Sequence, residues 1–275
     1  MCTLDGCGTH KDMPPIIVAE TDRRAFLAGM GALPLAAVLA DPALAQAAAA
    51  KLEPVSIQTA VANRTVSGFI AKPAQLPAPA VILFHEWWGL NDQIKSVAAE
   101  LAAQGYIAVA VNLFDKPPAT TPEEAKALVA GLDNEAATDA VASWVYWARD
   151  LTEGTRKVAT IGWCFGGAWS LNASIAAPVD ATVIYYGNVT RTVSQLENLE
   201  GPVLGHFGTK DQSIDKAMVE GFETNMAAAG KGSALTVYWY DADHAFANPT
   251  GARYDAEDAA LAWTRTMDFF ESNLT

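Results

Sequence analysis

The chain has 275 residues, 51% of them hydrophobic and 18% charged, too apolar for a disordered segment and long enough for one large α/β domain or two small ones. Eighteen basic residues against 31 acidic ones leave a formal charge of −13, which excludes non-specific binding to a phosphate backbone and hence a nucleic-acid partner. Three cysteines are too few for a disulfide scaffold.

Residues 1–45 read as an address. Thr21-Asp22-Arg23-Arg24-Ala25-Phe26-Leu27 runs into a stretch, 25–40, that carries no charge; Asp41 and Pro42 end it, and Ala43-Leu44-Ala45 offers small residues where a signal peptidase cuts. The Arg23-Arg24 pair resembles a twin-arginine export signal, with Asp22 in place of the usual Ser or Thr. The alternative is a membrane anchor, but sixteen apolar residues make only about 24 Å of helix against a hydrocarbon core of about 30 Å. The expectation is a signal cut near Ala45, transient contact with the twin-arginine machinery, a periplasmic location and no membrane anchor afterwards. Cys2, Cys7 and His10 would leave with it, so the domain over 46–275 keeps one thiol, Cys164, and three histidines, His85, His206 and His244.

In chain order, β-rich runs predict strands over 55–60, 65–72, 80–84, 107–112, 157–163, 181–187, 203–207 and 235–240. Continuous apolar runs such as Ala80-Val-Ile-Leu-Phe84 suit central parallel strands covered on both faces. Helical patterns lie between them, over 93–104, 122–131, 135–151, 166–177, 213–229 and 256–273, with Pro122 at a first helical position ahead of Glu123 and Glu124. No repeat or linker interrupts the alternation. It predicts one doubly wound, mostly parallel α/β sheet with helices on both faces.

Gly162-Trp163-Cys164-Phe165-Gly166-Gly167 lies between an apolar strand and a helical pattern. Glycines two residues either side of a nucleophile permit the cramped strand-to-helix turn that lifts its side chain above a sheet. A helix start also favours thiolate over thiol and presents the Phe165 N–H to an oxyanion. The competing reading is a buried structural cysteine. A second oxyanion donor is expected from the loop after the third strand, His85-Glu86-Trp87-Trp88-Gly89, with the Trp87 N–H as candidate.

Enzymes with this turn order their residues nucleophile, acid, base along the chain. His85 precedes Cys164, and His206 sits inside the apolar run Val203-Leu-Gly-His-Phe207, where a packing role fits. His244, in Asp241-Ala-Asp-His-Ala-Phe246, occupies a loop after the last strand and is the candidate base. Asp211, just past the strand ending at Phe207, is the candidate acid. Asp241 and Asp243 stand too near His244 along the chain to brace it, and Asp215 is expected within the next helix.

With these motifs, and with Gly208-Thr-Lys-Asp211 and His244-Ala-Phe-Ala-Asn248, the sequence from about Val55 onward resembles the dienelactone hydrolase family of α/β-hydrolases. The resemblance implies that fold, a Cys164–His244–Asp211 triad and hydrolysis of a lactone or ester through an acyl-enzyme. It also implies that Glu86 helps turn the thiol into thiolate when substrate binds. Family enzymes hold a substrate carboxylate with two arginines; the matching positions here are Lys116 and Asn248, so one charge persists without the planar fork and the other is lost. Arg253 is a candidate replacement, and Trp87, Trp88, Trp163 and Trp169 are candidate walls for an apolar acyl group or else core filling, the reading favoured for Trp169 one turn into its helix. No metal or organic cofactor is implied, since the histidines lack ligand-like spacing. A thioesterase or general carboxylesterase with the same triad, a small-molecule binder without catalysis, and a redox role for the lone thiol remain as rivals.

Overall fold

A computed structural model describes residues 16–28 and 34–275. Cys2, Cys7, His10 and residues 29–33 of the apolar stretch lie outside the described residues. The expected strands are all present, their ends shifted by at most three residues: β1 (Glu53–Gln58), β2 (Thr65–Ala71), β3 (Ala78–Phe84), β4 (Ile107–Val111), β5 (Gly154–Trp163), β6 (Ala181–Tyr185), β7 (Val203–Gly208) and β8 (Leu235–Tyr240). They form one sheet in the order β1-β2-β4-β3-β5-β6-β7-β8, antiparallel at β1/β2 and β2/β4 and parallel from β4 to β8.

The two-residue period of the strands divides the interior. On β3, Val81 and Leu83 face one layer while Ala80, Ile82 and Phe84 face the other. The first layer holds α4 (Asp92–Ala103) and α10 (Ala256–Leu274), whose Leu101 and Phe270 are completely buried. The second holds α6 (Asn134–Arg149) and α7 (Phe165–Ala176), with Trp144 and Trp169 in its core. This is the α/β-hydrolase architecture. Trp163 and Trp169 are 7% and 4% exposed and are core filling.

Side-chain caps mark where helices begin. Thr121 and Glu124 form a reciprocal capping box on α5 (Pro122–Ala130). The helix expected from residue 213 instead starts at Lys216, as α9 (Lys216–Ala228). Asp211 Oδ1 takes the N–H groups of Ser213 (2.7 Å) and Ile214 (2.9 Å) into a turn, and Asp215 caps the helix through the Met218 N–H. Asp215 therefore stands before the helix rather than inside it. The short α8 (Val193–Leu196) carries too little pattern to be foreseen.

The N-terminal region forms α1 (Glu20–Leu27), α2 (Leu35–Ala40) and α3 (Pro42–Ala49). Asp41 caps α3 and pairs with Arg23 at 2.9 Å. Leu39 joins the core layer of Ile94, Val97 and Trp163, and the Ala45 carbonyl accepts a bond from Ser96 Oγ at 2.9 Å. The expected cut near Ala45 thus falls inside a packed helix. Among the described residues no helix is long and apolar enough to cross a membrane.

Candidate active site

Parallel strands aim their carboxyl ends at one edge of the sheet, the usual place for a site in such folds. His85 and Glu86 follow β3, Cys164 follows β5, Tyr186 follows β6, Asp211 follows β7 and His244 follows β8.

Cys164 occupies a bend that few L-residues adopt, φ +54° and ψ −115°. Its N–H bonds the Tyr185 carbonyl at 2.9 Å, and α7 begins at the next residue. The flanking glycines are sterically required. A Cβ on Gly162 would strike the Gly166 carbonyl, and one on Gly166 would strike the Phe84 carbonyl of the neighbouring strand. The sulfur is left half-buried on a cavity of about 500 Å³ that Trp87, Phe165, Tyr186 and His244 also line.

His244 Nε2 lies 3.1 Å from Cys164 Sγ, and His244 Nδ1 lies 2.6 Å from Asp211 Oδ2. Both His244 and Asp211 are 4% exposed. Burial alone would lower the imidazole's pKa, but charge on the Cys164 sulfur and the bond to Asp211 reverse this and push it up to about 10. For Asp211, burial acts upward, yet His244 and the two turn N–H groups outweigh it and hold the carboxyl below its ordinary range. Asp243 Oδ1 ties the same loop down, accepting from the His244 N–H (2.9 Å) and from Arg253 (2.8 Å).

The other histidines are equally buried and stay neutral. His206 bonds the Tyr240 hydroxyl and Thr266, and burial lowers its pKa to about 3. His85 Nε2 accepts the Leu113 N–H, so its proton sits on Nδ1 and is donated to the Glu86 carbonyl at 2.6 Å. Burial lowers its pKa to about 4. Its work is to hold the loop that presents Glu86 and Trp87.

Glu86 is 8% exposed, and burial raises its carboxyl above the ordinary range against the opposing effects of His244 and Asn248. Its Oε2 accepts from Asn248 Nδ2 at 2.9 Å. The Asn248 amide is fixed in that sense, because its Oδ1 already takes the Thr250 N–H, the Thr250 hydroxyl and Gln93 Nε2. Asn248, expected at the substrate, is thus engaged with Glu86 and lies off the Cys164 cavity.

Lys116 is likewise not brought to that cavity. Its turn is closed by Asn112 Nδ2 on the Lys116 carbonyl (3.0 Å), which leaves the side chain exposed. The lysine that lines the cavity is Lys126 of α5, together with Val129 and Ala130. Positions i, i+3 and i+4 of one helix face were the available signal for it. Arg253 does reach the cavity. Trp88 packs on Trp87 at 4.9 Å, behind the ring that forms the wall. Tyr186 had no spacing to reveal it: fully buried at φ +39°, it sets its ring edge-on to His244 at 5.2 Å. Among the described residues no three His, Cys, Asp or Glu side chains gather as a metal site would require.

Residues 66–274 match the family model described as the dienelactone hydrolase family. A carboxymethylenebutenolidase of Pseudomonas putida is 29% identical over 232 residues, covering 79% of this chain and 95% of its own. Carboxymethylenebutenolidase 1 of Cupriavidus pinatubonensis is 26% identical over 210 residues, covering 73% and 88%. In fold, the chain is similar to the crystal structure of a dienelactone hydrolase-like promiscuous phosphotriesterase from metagenomic libraries, with a TM-score of 0.73 and 22% identity over 82% of this chain and all of that one.

The imidazole of His244 is expected to keep both ring protons to above pH 8. Cys164→Ala, which removes the neighbouring sulfur charge, is expected to lower its titration midpoint by about one pH unit or more. Ring ¹⁵N shifts across a pH series measure both, and an unmoved midpoint would show that the sulfur is not the source.

Proposed function

Because this chain belongs to the dienelactone hydrolase family and is a hydrolase of that kind, we propose that it opens a lactone or cleaves a carboxylic ester through an acyl-enzyme on Cys164. The observation that carries this is the continuous relay from sulfur to imidazole to carboxylate, at 3.1 and 2.6 Å, on an open cavity. The thiolate of Cys164 attacks the carbonyl carbon. Negative charge gathers on the carbonyl oxygen, where the N–H groups of Phe165 and Trp87 stabilise it. As the tetrahedral centre collapses, the C–O bond breaks and the His244 imidazolium gives its proton to the departing alkoxide. Neutral His244 then takes a proton from water, whose oxygen attacks the thioester; the C–S bond breaks, releasing the acid and restoring the Cys164 thiolate beside protonated His244. Asp211 keeps the ring in the tautomer this cycle needs and stabilises its charged form.

The walls of the cavity favour a mainly apolar acyl group: Trp87, Val129, Ala130, Phe165, Ala168 and Ile214. Besides the His244 imidazolium, its lining carries the cations Lys126 and Arg253, and under this proposal these two meet a substrate carboxylate. In this reading they take over the task that resemblance assigned to Lys116 and Asn248. Glu86, to which the resemblance assigns a part in forming the thiolate, is held by Asn248, and burial raises its carboxyl above the ordinary range.

We further propose that residues 1–45 act as a twin-arginine export signal and that the domain works in the periplasm. Asp41 and the docked α3 then hold the leader against the domain, and α3 must unwind before a peptidase can cut near Ala45.

A screen of lactones and aryl esters is expected to give turnover, and intact-protein mass spectrometry to trap an acyl adduct on Cys164. Cys164→Ser is expected to reduce kcat/KM by roughly 100-fold or more, since serine is far less acidic. Ligand binding without any adduct would instead indicate a binder, a resting sulfenic or mixed-disulfide thiol a redox role, and preference for acyl thioesters a thioesterase. For substrates bearing a carboxylate, Arg253→Ala and Lys126→Ala are each expected to raise KM about tenfold relative to neutral esters, with Lys116→Ala without effect. Equal losses on neutral esters would remove the two cations from anchoring. For export, N-terminal sequencing of periplasmic protein is expected to begin near Gln46, and replacing both Arg23 and Arg24 by Lys to leave uncut chain in the cytoplasm. Continued export of that double variant would refute the twin-arginine route.

A further inference from the structure

Beside Glu86 lies a second, much smaller cavity of about 30 Å³, lined by Glu86, Gln93, Asn248 and Tyr186 and by apolar residues that include Leu39, Ile94, Val97 and Trp163. That space admits about one water molecule, and the polar residues among its lining are the partners that a bound water requires. Tyr186 lines both this cavity and the larger one. Its side chain is completely buried, and its hydroxyl bonds no described residue. A buried hydroxyl without a partner forfeits the hydrogen bond it makes to water in the unfolded chain. The same residue holds φ at +39°, a conformation that disfavours an aromatic side chain. Two unfavourable features at one position need a compensating interaction. Tyr186 also lies close enough to Glu86 for charge there to oppose ionisation of the phenol, after the larger effect of burial.

We propose that this cavity is a binding site for a single water molecule, which accepts a hydrogen bond from the Tyr186 hydroxyl and donates one to the Glu86 carboxyl. The hydroxyl is then satisfied, and Glu86 is held from two directions, by Asn248 and by the water. The water also links Glu86 to the ring that stands edge-on to His244, so Glu86 and His244 share Tyr186 as a neighbour. Nothing in this arrangement depends on which acyl group is hydrolysed.

Two measurements on the full chain, in which Leu39 lines the cavity, test the site. Crystals that diffract well enough to place waters are expected to carry a density peak within about 3.2 Å of both the Tyr186 hydroxyl and a Glu86 carboxyl oxygen. Clear density for both side chains with no peak between them overturns the assignment. The sign of the stability change in Tyr186→Phe gives a second, independent answer. With a bridging water, the variant loses a hydrogen bond and its Tm falls by about 2–4 °C. An unsatisfied hydroxyl predicts a rise instead, because Phe removes a buried polar atom that bonds nothing; a rise or an unchanged Tm overturns the site. Neither readout requires turnover, so both remain decisive if the protein proves not to hydrolyse esters.

Discussion

The backbone at Cys164 is held at φ +54° by contacts on both sides of it, and the rest of the site is arranged around that bend. Gly162 lets the strand pass beneath the Gly166 carbonyl, and Gly166 lets the first turn of α7 press against β3 at Phe84. Central strands and a buried helix thereby fix the sulfur, with no loop left to drift. Strain of this kind persists only where surrounding packing over-determines it, and the buried carboxyl-terminal halves of β3 and β5 supply that packing. The sulfur can then project from the carboxyl edge of the sheet toward residues delivered by two later strands.

The three histidines of the domain illustrate how partners, rather than burial, set charge. All are nearly inaccessible to solvent, and burial drives each pKa downward. His85 and His206 meet carbonyl, hydroxyl and amide groups and stay neutral. His244 alone meets a carboxylate at one nitrogen and a sulfur at the other, and its pKa moves the opposite way. A proton-transfer group is obtained from an ordinary buried imidazole by its two neighbours alone.

The N-terminal helices extend the same core. Leu39 fills a gap between α4 and Trp163 and lines the small cavity beside Glu86, while Arg23 is engaged with Asp41, the cap of α3. Packed in this way, Leu39 and the α2–α3 segment cover apolar surface of the sheet domain. This placement also means that the N-terminal segment and the small cavity beside Glu86 share Leu39.

The alternation of strands and helices was written in local pattern, because continuous apolar runs such as Ile107-Ala-Val-Ala-Val111 suit only a strand covered on both faces. The strand-to-helix turn at Cys164 was equally legible, since glycines at fixed offsets answer a backbone demand that acts within a few residues, and chain order together with the places of Asp211 just past β7 and His244 in the loop after β8 made those two the candidates. What folding decided is long-range. Lys126 rather than Lys116 lines the cavity because a turn aims one outward and a helix face aims the other inward. Asn248 turns to Glu86 because Gln93 and Thr250 fix its amide. Tyr186 comes between Glu86 and His244 only because β6 lies between β5 and β7 in the sheet. Local rules carry backbone shape; which side chains meet depends on contacts between residues far apart in the chain, and no single stretch of sequence encodes these.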